Sequence, residues 1–348
     1  LYVDYPSEME SDKSGVSSIF GEMLSAGTND SPKDDFDEKI DYMGATFSSS
    51  ARGFYASSLK KHTPKLLSLI NEVLLQPAFP QDEFDRIVGQ YESNLAAIAS
   101  DASTMSRNVS GVVNYGLSHP YGEVMTDESL ASITLEDVKA FHKKYFIPNH
   151  AYLVIVGDIS KDEVKDYAET YFAGWNKGES LETTDFAVPQ SKGNNVYFVN
   201  KPGAVQSVIN ITHPLELMPG HEDEIKLKLL NQILGGGSFS ARLMSNLRED
   251  KAYTYGCYSS ISSDQLIGSF KAGGSFRNEV TDSAIVQILA EIERIADTEI
   301  LDTELDLVKK SMTGAFARSL ENSQTIARFA LNTIRYDLPA DYYATYLQ

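Results

Sequence analysis

The sequence predicts an α+β fold made of two similar domains, each a mainly antiparallel sheet packed with helices. Its 348 residues suffice for two domains of ordinary size. The same order of helices and strands occurs twice, at an offset of roughly 210–220 residues. Between the two occurrences lies a stretch rich in Gly, Ser, Thr, Asn and charge, as linkers are. We therefore place the domains at 1–180 and 193–348, with the linker at 174–195.

The first half begins with the strand-like run LYVDYP. A helix is predicted over 15–26, where apolar residues recur at helical spacing and Gly27 follows as a C-terminal glycine. The further elements predicted in this half are a helix near 33–43, alternating strands in 45–60, helices near 63–76 and 81–100, a buried strand at 151–160 and a helix at 161–171. The second half repeats the order with a strand at 208–214, helices near 222–234 and 240–248, strands at 253–262 and 267–276, and helices near 279–296 and 302–320.

Composition excludes several function classes. Acidic residues outnumber basic ones 49 to 30, and the net charge of -19 offers no basic face for nucleic acid. This acidity favours solubility or attracts basic peptides. No apolar run approaches the roughly 18 residues of a membrane span. The single cysteine, Cys257, excludes an internal disulfide and is predicted to be a buried structural thiol.

Both ends of the sequence look cut, because the chain starts in a strand-like run without an initiator Met and stops at YYATYLQ. We expect the N-terminal domain to be truncated at its start. A signal region would lie outside this sequence, so the sequence assigns no compartment.

Three runs carry a resemblance to a known family: SGVSSIFGEMLSAGT at 14–28, SHPYG at 118–122 and LNQILGGGSFSARLMSNLRE at 230–249. They resemble the pitrilysin/insulinase family of zinc metallopeptidases, and the resemblance covers nearly the whole chain with its two-domain order. In that family one helix reads Gly-x-x-His-x-x-Glu-His. Its two histidines bind zinc, and its glutamate activates water.

The resemblance implies a degenerate zinc site in this chain. Ser18 stands at the first histidine, Gly21 at the glutamate and Glu22 at the second histidine. The third family ligand, a glutamate further along, falls near Asn94, with Glu92 close by. A catalytic zinc needs three protein ligands and an open position. Without those ligands and without the general base, the chain is expected to bind no metal, and zinc is expected in a catalytic partner.

The histidines of the chain do not restore this site. None belongs to an intact HxxEH or HExxH motif, and we expect them to be surface or turn residues. The six are His62, His119, His142, His150, His213 and His221.

The run NLREDKAYTYG resembles the family segment in which an arginine ends a helix and a tyrosine seven residues later enters a strand. In relatives these side chains, here Arg248 and Tyr255, reach the zinc site from the opposite half of a clamshell. Both can donate hydrogen bonds to the oxyanion that forms on peptide hydrolysis. The alternative is an ion pair of Arg248 with Glu249 and a purely structural Tyr255. Tyr253 and Tyr258 compete with Tyr255, and only spacing selects it.

The glycine run Gly235, Gly236, Gly237 and Ser238 follows an apolar helix and is a weaker candidate. A flexible helix end explains it without a function. A glycine-rich loop at this place in the non-catalytic subunit of the family's processing peptidase is linked to substrate handling, so the resemblance implies a substrate-binding role. It also implies that 44–54 is an edge strand, which pairs with substrate backbone in catalytic members; without zinc we expect it to be structural here.

The sequence thus predicts the non-catalytic half of a pitrilysin/insulinase-type metalloendopeptidase. It would work on unfolded peptides with a zinc-bearing partner, either a separate subunit or a fused domain. One alternative is a structural core or scaffold protein of the same fold without a proteolytic role. The other is an active zinc peptidase in which Glu22, Glu92 and a histidine converge as rearranged ligands.

Overall fold

The computed structural model describes residues 1–188, 193–237 and 239–346. The chain divides into two compact units. The first consists of Leu1–Ala96, Val124–Asp185 and Ser323–Leu331, and the second contains the other segments. Residues 189–192 of the predicted linker and Ser238 of the glycine run lie outside the described residues. The domain boundaries inferred from the sequence stay a prediction.

Each unit contains one antiparallel sheet and several helices. The strands are β1 (Tyr2–Val3), β2 (Thr46–Ser50), β3 (Gly53–Ser57), β4 (Ala151–Tyr152), β5 (Gln206–Leu215), β6 (Cys257–Ser262) and β7 (Gly268–Arg277). The helices of the first half are α1 (Val16–Met23), α2 (Lys33–Tyr42), α3 (Thr63–Leu75), α4 (Gln81–Ile98), α5 (Ala102–Tyr115), α6 (Asp127–Ser132), α7 (Leu135–Tyr145) and α8 (Lys161–Phe172). Those of the second half are α9 (Glu224–Leu234), α10 (Arg242–Met244), α11 (Thr281–Asp297), α12 (Asp302–Ser319), α13 (Ser323–Arg335) and α14 (Tyr342–Thr345). These elements confirm the predicted α+β fold.

The sheet of the first unit has the order β2-β3-β1-β4, so β2 lies at an edge. The single edge strand predicted at 44–54 is correct for β2 only, because the chain turns at 51–52 and Gly53 and Phe54 already belong to the inner strand β3. Helix α1 packs its apolar face into the core of this unit, where Ile19, Phe20 and Met23 are 0% exposed. The Phe20 ring lies 4.8 Å from the rings of both Phe141 and Phe146. Because one side of α1 is buried in this way, its polar positions face outward.

The predicted buried strand at 151–160 is wrong beyond its first two residues. Only Ala151 and Tyr152 pair, with Val3 and Tyr2 of β1, and Leu153 and Val156 are 36% and 39% exposed. The apolar run has the composition of a buried strand, but β1 is only two residues long. A strand needs a hydrogen-bonding neighbour along its whole length, and no described strand supplies one here.

The sheet of the second unit has the order β5-β7-β6. Its central strand requires a glycine, because a Cβ at Gly273 would lie 1.9 Å from the carbonyl oxygen of Ile209 on β5. Helix α5, although it comes early in the sequence, belongs to this unit. It is bonded to β5, where the Thr212 hydroxyl donates to Asn114 Oδ1 over 2.9 Å.

Within residues 1–188, 193–237 and 239–346, none of the helices has the length and hydropathy that a bilayer crossing requires.

Candidate functional site

The degenerate zinc motif lies on the outward face of α1. Ser18 and Glu22 are both exposed and are four residues apart, so their side chains are neighbours on the same face of the helix. The neighbouring positions Ile19 and Met23 are buried, so the helical period alone turns these two polar residues toward solvent.

A tyrosine that the sequence interpretation missed binds one of these two residues. The Tyr91 hydroxyl, on α4, donates to Glu22 Oε1 over 2.7 Å, and the Ser18 side chain lies close enough to affect the pKa of that hydroxyl. Burial, and then the bond to Glu22, raises the pKa of Tyr91 above its ordinary value, so the phenol stays protonated. The sequence signal was present, because Tyr91 lies one helical turn before Asn94, the position aligned with the third ligand.

The main chain closes off the general-base position. A Cβ built on Gly21 would lie 2.6 Å from the backbone nitrogen of Ala51 and 2.8 Å from the carbonyl carbon of Ser50. Ser50 ends β2 and Ala51 begins the turn to β3, and main chain of this kind cannot move as easily as a flexible side chain. A glutamate at this position would require the turn to shift.

The residues at the aligned positions do not fit a zinc site. Zinc takes cysteine, histidine and carboxylate ligands. Of the aligned set only Glu22 is of this type, and one of its oxygens already accepts the Tyr91 hydroxyl. Asn94 and Glu92 are exposed on α4. Across the part of the chain that the structure describes, no three His, Cys, Asp or Glu side chains are grouped as metal ligands.

Two histidines are packed among other side chains. His119 lies at a turn, as expected, whereas His142 lies within a helix and differs from the expectation of surface or turn residues. His119 stands at a turn but is only 1% exposed, and its ring stacks on Tyr115 with centroids 5.3 Å apart. His142 on α7 packs against Phe146, and its Nε2 lies 3.0 Å from the carbonyl oxygen of Leu74. Burial lowers the pKa of both, so each imidazole favours its neutral form.

Arg248 lies on a π-helical turn, Ser245–Asp250, that continues directly from α10. Its guanidinium carbon lies 4.6 Å above the centre of the Phe239 ring, and its Nε lies 3.3 Å from Glu249 Oε1. The side chain is 33% exposed. The ion pair with Glu249, one of the two alternatives drawn from the sequence, is therefore present. The sequence analysis did not predict the contact with Phe239; its only signal was the presence of an aromatic residue directly after the glycine run.

The structure separates the three competing tyrosines. Tyr255 is 87% exposed and precedes β6, which begins at Cys257. Tyr253 packs against the core of the second unit, and Tyr258 is 50% exposed on β6. Among these three, Tyr255 is the one most available to a ligand.

Close packing explains two glycines of the run. A Cβ on Gly235 would lie 2.6 Å from the backbone nitrogen of Ser259, and one on Gly236 would lie 2.7 Å from Cα of Gln232. Gly237 has φ = 101°, a conformation that favours glycine. The run therefore has structural reasons to be glycine in addition to any role with substrate.

Two family models match the chain. One, described as insulinase (peptidase family M16), matches residues 1–111, and the other, described as peptidase M16 inactive domain, matches residues 132–312.

Curated relatives and solved structures agree with these matches. An uncharacterized zinc protease of Bacillus subtilis is 26% identical over 328 residues, which are 89% of this chain and 76% of that protein. A non-peptidase homolog of Helicobacter pylori is 22% identical over 96% of this chain and 77% of its own length. The crystal structure of a peptidase M16 inactive domain from Pseudomonas fluorescens has a TM-score of 0.88 and 25% identity, covering 99% of this chain and 84% of that one.

Proposed function

The chain belongs to peptidase family M16, and from this premise we propose that it is the non-catalytic half of an M16 metalloendopeptidase. It works with a zinc-bearing partner, either a separate subunit or a fused domain, and the pair hydrolyses unfolded peptides. The matches to the two family models confirm the resemblance inferred from the sequence.

The packing at Gly21 is the observation that carries the non-catalytic assignment. The general base of the family must be a side chain at this position, and the main chain of the β2–β3 turn occupies the space where it would begin. Ser18 is not a zinc ligand, and Glu22 accepts a hydrogen bond from Tyr91 instead of forming half of a ligand pair. Water activation by this half therefore lacks both its metal ligands and its proton acceptor.

Arg248 and Tyr255 are the residues by which this half assists the partner. A guanidinium and a phenol can donate hydrogen bonds to the oxyanion that forms when water attacks a peptide carbonyl. The exposure of Tyr255 and the support of Arg248 by the Phe239 ring are consistent with this role. Removing one such donor typically lowers kcat about 10²–10³-fold.

The first test uses the chain alone. After dialysis against zinc and then against zinc-free buffer, elemental analysis should find well under one zinc per chain, and the chain should cleave no unfolded peptide. Near-equimolar zinc retained with peptide cleavage would instead support the active peptidase with rearranged ligands.

The second test uses the chain with a zinc-bearing M16 protein from the same organism. Arg248→Ala and Tyr255→Phe should lower peptide hydrolysis by the pair about 10²–10³-fold while the pair still assembles. Arg318→Ala and Tyr42→Phe, at exposed positions on α12 and α2, are the matched controls and should leave the rate unchanged.

A structural scaffold without a proteolytic role is the second candidate function. One observation favours it: the guanidinium of Arg248 already contacts Phe239 and Glu249, so a purely structural role would account for the residue. Hydrolysis by the Arg248→Ala pair at the wild-type rate, with assembly intact, would support the scaffold and refute the assisting role.

A further inference from the structure

A buried polar cluster in the second unit lies beneath the turn that carries Arg248. Its centre is Arg242 on α10, whose side chain is 6% exposed. Arg242 Nε and Nη2 donate to the two carboxylate oxygens of Glu304 on α12 over 2.9 and 2.8 Å. This two-point pairing leaves the other terminal nitrogen, Nη1, pointing elsewhere.

Three buried polar atoms of this cluster have no hydrogen-bond partner among the residues that the structure describes: Arg242 Nη1, Asn246 Oδ1 and Glu291 Oε2. Of these, Glu291 Oε2 has an ion-pair contact, 3.4 Å from Arg294 Nη2, that is not a hydrogen bond. Glu291, on α11, is only 4% exposed. Buried groups of this kind are nearly always satisfied by protein or by an ordered water, so three on neighbouring side chains indicate a shared partner.

The three side chains are connected to one another. Asn246 Nδ2 donates to Glu291 Oε1 over 2.7 Å, and a carboxylate accepts only, so the amide nitrogen must face it and Oδ1 must face away. Arg242 and Asn246 are one helical turn apart. The pKa of Arg242 is raised by the bond to Glu304 and, beyond it, by the charge of Glu291.

The chemistry of the three atoms selects the partner. One is a donor and two are acceptors, and a water molecule can accept one hydrogen bond while donating two. A cation would be repelled by the Arg242 guanidinium, and an anion would face two acceptor oxygens. The surrounding charges also balance, because Arg242 and Arg294 oppose Glu304 and Glu291. Three hydrogen bonds are the usual number for a buried water.

We propose that one internal water bridges Arg242 Nη1, Asn246 Oδ1 and Glu291 Oε2. It adds to the direct bonds from Asn246 Nδ2 to Glu291 and Gln287, which hold the π-helical turn carrying Arg248 to α11. Asn246 belongs to that turn, and its carbonyl oxygen also accepts the Lys251 N–H over 3.1 Å. The water site exists whether or not Arg248 assists a partner, and only its value for catalysis rests on the proposed function.

A high-resolution crystal structure of the wild-type chain is the direct test. The expected result is a single water peak about 2.7–3.2 Å from each of the three atoms. The proposal is overturned if the three atoms bond directly to protein groups. It is equally overturned if the peak has the contacts or anomalous signal of an ion.

A matched pair of variants tests the role of the water in solution. Arg242→Lys removes Nη1 but leaves the direct bond from Asn246 Nδ2 to Glu291 in place, whereas Gln287→Met removes only a direct acceptor of Asn246 Nδ2 and none of the three contacts of the water. Hydrogen–deuterium exchange of the segment 245–253 should rise about tenfold in the Arg242→Lys variant and little in the Gln287→Met variant. Equal exchange in both variants, whether raised or unchanged, contradicts the water bridge. If the Arg242→Lys variant does not fold, the crystal structure decides.

Discussion

Substituting Gly21 tests the packing that excludes a general base. Gly21→Ala adds one methyl group in the middle of α1, where the nearest atoms are the backbone nitrogen of Ala51 at 2.6 Å and the carbonyl carbon of Ser50 at 2.8 Å. Contacts below 3.0 Å force a shift, and here the shift must come from main chain. The matched control is Gly89→Ala in α4, where no described atom lies within 4 Å of the new Cβ.

The two substitutions should change the free energy of unfolding in opposite directions. Replacing a helix-interior glycine by alanine stabilises by about 0.8–1 kcal/mol through backbone entropy and helix propensity. Gly89→Ala should show this gain alone. Overpacking a buried site costs about 1–3 kcal/mol, so Gly21→Ala should lose up to about 2 kcal/mol of unfolding free energy once the same gain is subtracted. Because both variants share that gain, their free energies of unfolding should differ by the overpacking cost itself, about 1–3 kcal/mol.

Urea unfolding followed by tryptophan fluorescence measures this difference in the appropriate unit. Trp175 is the single tryptophan, and it packs against the core of the first unit with its Nε1 donating to the carbonyl oxygen of Phe146 over 2.8 Å. Both glycines also lie in that unit. If Gly21→Ala stabilises the chain as much as Gly89→Ala does, the β2–β3 turn leaves room for a side chain and the case against a general base fails.

Further predictions concern pH, the Tyr91 bond and the thiol. Burial lowers the pKa of His142, which lies in the same unit as Trp175, below 6.5. Its contribution to the free energy of unfolding is therefore complete above that pH and is lost as the pH falls; the urea midpoint should drop between about pH 7 and pH 5, and a flat profile would contradict this. Tyr91→Phe should lower the free energy of unfolding by about 0.5–1.5 kcal/mol, and the loss should be at the low end because Glu22 is exposed to water. An unchanged urea midpoint would argue against the hydrogen bond between Tyr91 and Glu22. Cys257 is 0% exposed and burial raises its pKa to about 12, so a thiol reagent should label it only in denaturant; rapid labelling of the native chain would refute its burial.

The elements predictable from sequence were those fixed by local periodicity. The apolar spacing in 15–26 gave α1 and its outward face, because the helical period alone decides which residues share a side. The strands at 208–214 and 267–276 were found for the same reason and form β5 and β7.

Features that depend on distant partners were not predictable in this way. Tyr91 and Glu22 are 69 positions apart, and the sequence around each residue does not predict the hydrogen bond between them. The run 151–160 has the residues of a buried strand, but pairing depends on a neighbour that its own composition does not reveal. The exposure of Tyr255 likewise depends on where β6 begins.

The assignment of α5 to the second unit affects how this protein can be dissected genetically. A fragment that starts at residue 193 would omit α5, leaving Thr212 without its Asn114 partner and one side of β5 uncovered. Such a fragment would expose new sheet surface to solvent and tend to aggregate on expression, although it contains every strand of its own sheet. Supplying residues 97–123 as a tethered extension would restore the missing helix.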